Sequence, residues 1–186
     1  MGDAVVIIRP ATPADAPALA IIYGDACLHG FGTFEEAAPS PNEMAARLKA
    51  VTDRGLPYLV VEVDGEVVAL AYAAPFRLRA AYRYTVEDSV YVAPTFKSQG
   101  LGKAVLLRVI DACEALGLRQ MVAVIGDSSN EGSIALHRSL GYEIKGVLPA
   151  LGYKHGRWVD VVWMQRPLNG GADSLPDAPG LELRGV

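Results

Sequence analysis

The chain has 186 residues, enough for one domain with a full hydrophobic core and too few to suggest two. Hydrophobic residues make up 51% of it and charged residues 20%, proportions that are typical of a folded globular protein and exclude disorder over most of the length. The formal net charge of -4 provides no general positive field for nucleic acid, so any basic site must be local.

The sequence carries no signal for a membrane or for export. No apolar run reaches the roughly 18 residues that span a bilayer, and the start MGDAVVIIRP has no basic region before its short apolar stretch. We therefore expect a cytoplasmic protein. Cys27 and Cys113 are far apart in sequence, which favours two buried thiols over a disulfide in that compartment.

Helix-start signals punctuate the first third of the chain. After a short predicted strand, Val5 to Arg9, the sequence TPAD from Thr12 to Asp15 combines an N-cap threonine, a proline and an acid. It predicts a helix that runs to about Cys27. The capping box SPNE at Ser40 to Glu43 predicts a second helix, Pro41 to Arg54.

The clearest hairpin lies in YLVVEVDGEVVALAYAAPF. Two β-rich runs flank Asp64-Gly65, a pair that tolerates positive φ in a tight turn, and they predict strands at Tyr58 to Val63 and Glu66 to Ala74. Another strand, Thr85 to Val92, precedes a glycine loop. Apolar residues then recur at helical spacing until Gly117, which predicts a helix and completes a strand, loop and helix.

The last third of the chain also contains strands and a helix in turn. QMVAVI suits a central strand, a polar loop GDSSNEGS leads into a short helix that ends at Gly141, and strands are predicted near Tyr142 to Val147 and Trp158 to Gln165. The tail from Asn169 is rich in Gly, Pro, Asp and Ser and predicts a flexible segment, residues 169–186, after one domain of residues 1–168.

The loop KSQGLGKA is the first chemistry-bearing segment. Gly100 and Gly102 permit close backbone approach, and the following helix directs its free N–H groups and dipole to the same point, which favours a phosphate group. The loop has neither the Walker A spacing nor G-x-G-x-x-G. By itself the loop also fits an ordinary strand-to-helix connection that uses glycine for its turn and binds no ligand.

In its context this loop carries a family resemblance. SVYVAPTFKSQGLGKAVL resembles the acetyl-CoA site of the GNAT N-acetyltransferases, with Lys97 where Gln or Arg is usual. AYRYTVEDSVYV, AVIGDSSNEGSIALHRSLGY and GYKHGRWVDVVWMQ are similar to the phosphinothricin and methionine sulfone/sulfoximine acetyltransferase branch. The resemblance covers about residues 5 to 168 and implies an α+β GNAT fold with a mixed, mainly antiparallel sheet flanked by helices.

The resemblance implies three catalytic positions. Glu87 stands where the branch has a glutamate and would be the base, directly or through water. Strand alternation places Glu87 and Asp88 on opposite faces, and Asp88 could serve if a bulge shifted the register. The backbone N–H of Val92 would donate to the thioester carbonyl. His137 would protonate the leaving thiolate or contact its sulfur, unless it only fills space.

Acetyl-CoA is the co-substrate that the resemblance implies, and no metal is expected. Asn130 and Ser133 resemble residues that contact its pantetheine or phosphate arm, and both also suit a helix start. The predicted CoA-binding residues are Val90, Tyr91, Val92, Lys97, Ser98, Gln99, Gly100, Leu101, Gly102, Lys103, Ala104, Asn130 and Ser133.

The predicted substrate is a small amino-acid analogue that is acetylated on its α-amine. Arg77 and Arg79 would share one face of an extended segment, where guanidinium groups can fork a carboxylate; Arg79 lies where the branch has arginine. Phe34 would supply an apolar wall, unless it only packs under its loop, and Glu87 would also contact the substrate. Related enzymes are commonly homodimers, so we expect a second copy as partner, with no nucleic acid and no membrane.

Two alternatives stay open. The first is a GNAT enzyme that acetylates a protein N-terminus, a lysine or another small amine. The second is a non-catalytic acyl-CoA sensor, which would need the glycine loop without Glu87 and His137.

Overall fold

The computed structural model of the protein describes residues 4–183; residues 1–3 and 184–186, which belong to the predicted domain and tail, lie outside the described residues. Within residues 4–183 the strands are β1 (Val6–Pro10), β2 (Tyr58–Val63), β3 (Glu66–Pro75), β4 (Thr85–Val92), β5 (Gln120–Gly126), β6 (Glu143–Lys154) and β7 (Arg157–Pro167). These seven strands form one mixed sheet in the order β1-β2-β3-β4-β5-β7-β6.

Every neighbouring pair of strands is antiparallel except β4 and β5. These two run parallel and pair only from Thr85 to Glu87 on β4 and from Gln120 to Val122 on β5. Both strands continue beyond the paired residues, so they diverge and open a gap in the middle of the sheet. This gap is the feature of the fold that creates the site.

In the described part of the chain, four α-helices cover the sheet: α1 (Ala16–His29), α2 (Pro41–Thr52), α3 (Leu101–Ala115) and α4 (Glu131–Ser139). On the α1 face, the ring of Tyr23 meets that of Tyr91 on β4 edge to face, at 4.8 Å between centroids. On the opposite face, α3 places Gly102 against Val92 of β4 and Leu136 of α4. The predicted fold class, an α+β sheet flanked by helices, is confirmed.

Local sequence chemistry explains where the elements begin. Asp64 and Gly65 adopt φ of 49° and 88°, and they make the tight turn of the β2–β3 hairpin. The Ser40 hydroxyl accepts the Glu43 N–H at 3.2 Å and caps α2. The Asp15 carboxylate accepts the Thr12 N–H at 2.7 Å, although a short 3₁₀ turn precedes α1.

Some predicted bounds differ from the structure. Helix α1 continues to His29, two residues past the predicted end, and α2 stops at Thr52 rather than Arg54. Strand β6 extends to Lys154, well beyond the predicted Val147, because a long hairpin with β7 continues the pairing past two register shifts.

The segment of residues 169–183 follows the last strand. It contains no helix or strand, as its composition suggests, and it packs on the domain. The Arg119 guanidinium, on a residue only 6% exposed, donates to the Gly171 carbonyl at 2.9 Å and to the Ser174 hydroxyl at 2.7 Å. Tyr84 Oη donates to the carbonyl of Ala178 at 2.8 Å. Buried donors on the domain therefore hold the segment.

Neither a membrane-spanning helix nor a metal-binding cluster is present in residues 4–183. Among residues 4–183, no helix is long and apolar enough to cross a membrane. Over the same range, no group of three or more His, Cys, Asp or Glu side chains is arranged to hold a metal ion.

Candidate active site

The glycine loop forms an anion-binding start to α3. Ser98 and Gly100 adopt φ of 63° and 79°, so the chain curls before the helix begins at Leu101. The first N–H groups of α3 have no acceptor within the helix and point out of its start, where the helix dipole is positive. Lys97 and Lys103 are exposed at the same place. This arrangement suits a phosphate or pyrophosphate.

Gly102 brings the backbone of α3 close to β4. A Cβ at this position would lie 3.1 Å from Leu136 and 3.2 Å from Val92, so a side chain has almost no room. The glycine therefore serves close packing of the loop and helix against the strand rather than a positive φ.

The end of β4 presents unpaired backbone donors to the gap. The N–H of Ala93 donates to the Val68 carbonyl on the β3 side at 2.8 Å. Because donors alternate in direction along an antiparallel strand, the N–H groups of Val92 and Val90 point the other way, toward the side from which β5 has diverged. The predicted oxyanion donor, Val92, thus has a free direction into the gap.

The gap opens into a cavity of about 1140 Å³ that joins the glycine loop to the polar residues of β4. Of the predicted site residues, Gln99, Ala104, Arg77 and Arg79 do not line it. Those that do are Phe34, Glu87, Val90, Tyr91, Val92, Lys97, Ser98, Gly100, Leu101, Gly102, Lys103, Asn130, Ser133 and His137.

Glu87 is a half-buried carboxylate at the inner end of the cavity. It lies at the last paired position between β4 and β5 and makes no side-chain hydrogen bond within the described residues. Burial first, and then the negative charge of Asp88, raise the pKa of Glu87 above its ordinary value, while Arg77 opposes the shift. A carboxylate with free oxygens and a raised pKa is suited to accept a proton from an amine.

Asp88, on the opposite face of β4, forms a buried network with His137. His137 Nε2 lies 3.0 Å from Asp88 Oδ1, and the other carboxylate oxygen accepts the Tyr142 hydroxyl at 2.6 Å. His137 Nδ1 donates to the carbonyl of Ser133 at 2.7 Å. The histidine is 3% exposed.

The two acceptors favour the charged form of this ring. Burial alone would lower the pKa of His137, but the hydrogen bond and charge of Asp88, together with the Ser133 carbonyl, outweigh burial and raise it. Each ring nitrogen faces an acceptor, an arrangement that suits an imidazolium ion beside a carboxylate. Direct donation by Nε2 to a thiolate requires the loss of its bond to Asp88.

Asn130 and Ser133 perform the capping role that the sequence suggests. The Asn130 side-chain oxygen accepts the Ser133 N–H at 3.2 Å and caps α4. The Ser133 hydroxyl lies 3.4 Å from His137 Nδ1, on a residue that also lines the cavity. His137 lines the cavity as well, so the two residues lie together at its wall.

The predicted carboxylate-binding arginines lie outside the cavity. Their segment bends after β3 instead of staying extended, so the assumption that they share one face does not apply. The Arg77 guanidinium lies over the ring of Phe76 at 4.5 Å, and Arg79 is exposed before a short 3₁₀ turn. Phe34 lines the cavity but stays 41% exposed.

Sequence reasoning missed three polar residues close to the site. From sequence, Tyr142 is only a strand start, Asp88 is only a substitute base, and Lys154 has no assigned role. Asp88 and Tyr142 lie 54 residues apart, and no local pattern signals their contact. The one available signal for Asp88 was its inward position on an otherwise apolar strand face, shared with Val86 and Val90.

A cleft that offers an anion-binding loop, unpaired strand donors and a half-buried carboxylate suits a nucleotide-bearing thioester and an amine. This combination in a mixed sheet with a central gap defines the class, an acetyl-CoA-dependent N-acetyltransferase. The acetyltransferase (GNAT) family model matches residues 25–142, and the chain belongs to that family.

Relatives with assigned activities cover nearly the whole chain. A phosphinothricin N-acetyltransferase of Alcaligenes faecalis is 47% identical over 91% of this chain and 86% of its own. An L-methionine sulfoximine/L-methionine sulfone acetyltransferase of Salmonella typhimurium is 39% identical over 92% of this chain and 98% of its own. A phosphinothricin acetyltransferase from Sinorhizobium meliloti, solved with acetyl-CoA, is 46% identical, covers 92% of each chain and has a TM-score of 0.88.

Proposed function

We propose that the enzyme transfers the acetyl group of acetyl-CoA to the α-amine of a small amino-acid analogue such as phosphinothricin, methionine sulfone or methionine sulfoximine. The observation that carries this proposal is Glu87, a half-buried carboxylate without a hydrogen-bond partner in the described residues, at the inner end of the cavity where β4 and β5 diverge. The activities assigned to the similar proteins support this acceptor class.

The chain supplies the groups that such a transfer needs. Acetyl-CoA, when bound, supplies an activated acetyl thioester. The N–H groups of residues 98–103 and the Lys97 and Lys103 ammonium groups would hold its pyrophosphate. Glu87 takes the proton of the acceptor ammonium group, directly or through water, and the N–H of Val92 faces the thioester oxygen.

His137 acts as the proton source for the departing thiolate. In its charged form the ring holds two N–H groups; the Nδ1 hydrogen, which the Ser133 carbonyl accepts at 2.7 Å, breaks that bond and moves to the Ser133 hydroxyl, which lies 3.4 Å away. The Ser133 hydroxyl donates its own hydrogen to the sulfur and accepts the one from Nδ1. Asp88 stabilises the charged ring before the transfer.

A panel of acceptors tests the proposed substrate class. CoA release is followed with acetyl-CoA and, in turn, methionine sulfone, methionine sulfoximine, phosphinothricin, ordinary amino acids, polyamines and short peptides. Preference for the tetrahedral analogues is the expected result. Activity on peptides alone would replace the acceptor class, and tight CoA binding without turnover on any amine would indicate a sensor.

We further propose that Arg77 and Arg79 bind the acceptor carboxylate. Neither arginine lines the cavity, and the support is that Arg77 opposes the rise in the pKa of Glu87. Arg77→Ala is expected to raise the KM for methionine sulfone about tenfold or more, as for a lost charge-assisted hydrogen bond, and to leave the KM for acetyl-CoA unchanged. Arg54→Ala, just past the end of α2, is the matched control.

We propose a homodimer that is formed through β6. This strand is the outer edge of the sheet, and its hairpin with β7 exposes several large apolar side chains, among them Val147 at 50%, Leu151 at 57% and Trp158 at 64%. A second copy would cover this edge. Sedimentation should show a dimer, and Leu151→Lys should dissociate it. Leu116→Lys, at the exposed residue directly after α3, should leave the dimer intact. A monomeric wild type would disprove the proposal.

The compartment and the domain limits are also proposals. Cys27 and Cys113 are free and buried, which supports a reducing cytoplasm. One catalytic domain that ends at residue 168 is supported by the single sheet, whose last strand finishes at Pro167.

A further inference from the structure

Lys154 is a buried lysine without an ion-pair partner in the described part of the chain. It is 0% exposed, and its Nζ donates to two carbonyl oxygens, that of Thr33 at 2.8 Å and that of Ala26 at 3.3 Å. Burial lowers the pKa of this ammonium group, while Cys27 and the nearby glutamates Glu35 and Glu36 act in the opposite direction. Burying a lysine costs free energy, so its position between these two acceptors needs a physical explanation.

The two acceptors lie on either side of the start of one loop. Ala26 is in the last turn of α1, where the helix dipole favours a cation, and its carbonyl also accepts the Gly30 N–H at 3.2 Å. Thr33 lies within the loop that joins α1 to α2, residues 30–40, which we call the α1–α2 loop. Lys154 thus ties the end of α1 and the α1–α2 loop to the end of β6.

The neighbours of Lys154 in the β6–β7 hairpin hold the same loop. A Cβ on Gly152 would lie 2.7 Å from the ring of Phe34, so the ring lies directly on the glycine backbone. The Arg157 guanidinium lies 4.0 Å from the centroid of the Phe31 ring, and the His155 ring meets Phe31 edge to face at 5.4 Å. These contacts, with Lys154 among them, form a clamp on the α1–α2 loop.

The clamped segment forms the cavity wall on the side of the base. Residues 30–34 all line the cavity. The Thr33 hydroxyl lies 3.1 Å from the hydroxyl of Tyr23, and Tyr23 packs edge to face on Tyr91. Tyr91 shares its face of β4 with Glu87, two pleats away. An amine that reaches Glu87 therefore meets the wall that Lys154 fixes.

We propose that Lys154 is a positioning residue for the acceptor amine: it anchors the α1–α2 loop as the acceptor-side wall of the cavity. The glycine loop and the start of α3 lie outside the clamp, so acetyl-CoA binding does not depend on it. The inference rests on the proposed function in that the cavity takes a small amine beside Glu87.

Steady-state kinetics of Lys154→Met test the proposal. With acetyl-CoA and methionine sulfone, the KM for the amine should rise at least about tenfold, the loss expected for a charged hydrogen-bonding group, while the KM for acetyl-CoA stays within about twofold. Lys49→Met, which removes an exposed lysine from α2, is the matched control and should change neither. A folded Lys154→Met enzyme with an unchanged amine KM, or with both KM values raised equally, would overturn the proposal.

A second variant covers the case in which Lys154→Met does not fold. Gly152→Ala leaves the ammonium group in place and pushes a methyl group into the Phe34 ring, so it should displace the wall and raise only the amine KM. An unchanged amine KM in this variant would contradict the proposal.

Hydrogen exchange separates this proposal from the proposed function. Amides of residues 30–34 should exchange faster in Lys154→Met or Gly152→Ala than in the wild type, whatever amine the enzyme uses, and unchanged exchange would refute the clamp. If the wild type released CoA with none of the small amines, the proposed function would fail, and the acceptor role of Lys154 would fail with it.

Discussion

Glu87 and Asp88 are adjacent in sequence and have opposite surroundings. Glu87 faces the cavity with free carboxylate oxygens, whereas both oxygens of Asp88 are held by His137 and Tyr142 on the other face of β4. No bulge interrupts the pairing of β3 with β4, so the register that would have exchanged the two acids does not occur. The geometry therefore favours Glu87 as the base.

Glu87→Gln should lower turnover by roughly 10²- to 10⁴-fold, the usual range for a lost general base. The amide keeps the shape of the side chain and cannot take a proton from the amine. In the wild type, kcat/KM should fall as pH drops through the pKa of Glu87, above its ordinary range, because the protonated acid is inactive. Initial rates of CoA release, measured for the variant and for the wild type over a range of pH, check both expectations.

The control for Glu87→Gln is Glu66→Gln, which changes the exposed first residue of β3 and should turn over like the wild type. Unchanged turnover in Glu87→Gln would remove Glu87 from the role of base.

Asp88→Asn should change how stability depends on pH. The folded-state pKa of His137 is raised, so the ion pair stabilises the fold fully below the unfolded value of about 6.5 and less as pH rises through the folded pKa. In the variant, burial dominates and lowers the pKa of His137. The difference in unfolding free energy between wild type and variant should therefore be larger near pH 5.5 than near pH 8.5. These two pH values lie roughly one unit below and two units above the unfolded pKa of the histidine.

Urea titrations at the two pH values measure this difference. Tyr142 and Cys113 also face Asp88, but burial raises the pKa of both, that of Cys113 to about 12, so neither titrates in this window. Asp25→Asn, beside the exposed His29, is the matched control and should show no such dependence. A constant difference would mean that His137 is not charged in the fold.

At the scale of elements, the start of α1 offers a second pH-dependent contact. The Asp15 carboxylate accepts two hydrogen bonds from Arg9 on β1, at 2.8 and 2.9 Å, together with the Thr12 N–H. The hydrogen bonds from Arg9 come first among the causes that lower the pKa of Asp15 to about 2. The carboxylate therefore joins strand β1 to the start of the helix.

Asp15→Asn should lower the free energy of unfolding by about 2 kcal/mol at pH 7. A lowered pKa stabilises the fold above the unfolded value of 3.8 and loses its effect as pH falls through about 2, so the difference from wild type should shrink between these values. Denaturant titrations at pH 7 and pH 3 measure it. Asp53→Asn, in an exposed pair with Lys49, should have little effect at either pH.

The elements could be predicted from sequence where their chemistry is local. The Asp64-Gly65 turn, the Ser40 cap and the apolar period of α3 depend on residues within a few positions of each other, and they lie where predicted. The extra length of β6 could not be predicted, because it depends on register with β7. The site follows the same division: the glycine loop is a local motif, whereas Lys154 contacts Thr33 across 121 residues.

At the scale of the whole molecule, residues 169–183 connect parts that are distant in sequence. Asn169 donates to the carbonyls of Glu114, in the last turn of α3, and of Leu118, just after it. The Leu181 N–H donates to the Arg83 carbonyl just before β4. Composition suggests a free tail because glycine, proline and polar residues cannot form a core of their own. It does not show that Arg119 presents a buried guanidinium to the carbonyls of this segment.

A chain that ends at Leu168 should be less stable than the full chain by about 2–4 kcal/mol, the range for losing a few hydrogen bonds that include those of a charged donor. The loss arises because Arg119 and Tyr84 would give up protein acceptors and an apolar surface near Gly117 would be uncovered. A chain that ends at Leu183 keeps all these contacts and is the matched control. The acetyl-CoA KM should stay unchanged in both shortened chains, because it depends on the opposite end of α3. Thermal and urea unfolding of the three chains measure the stability difference. Equal stability would mean that residues 169–183 do not hold the domain together.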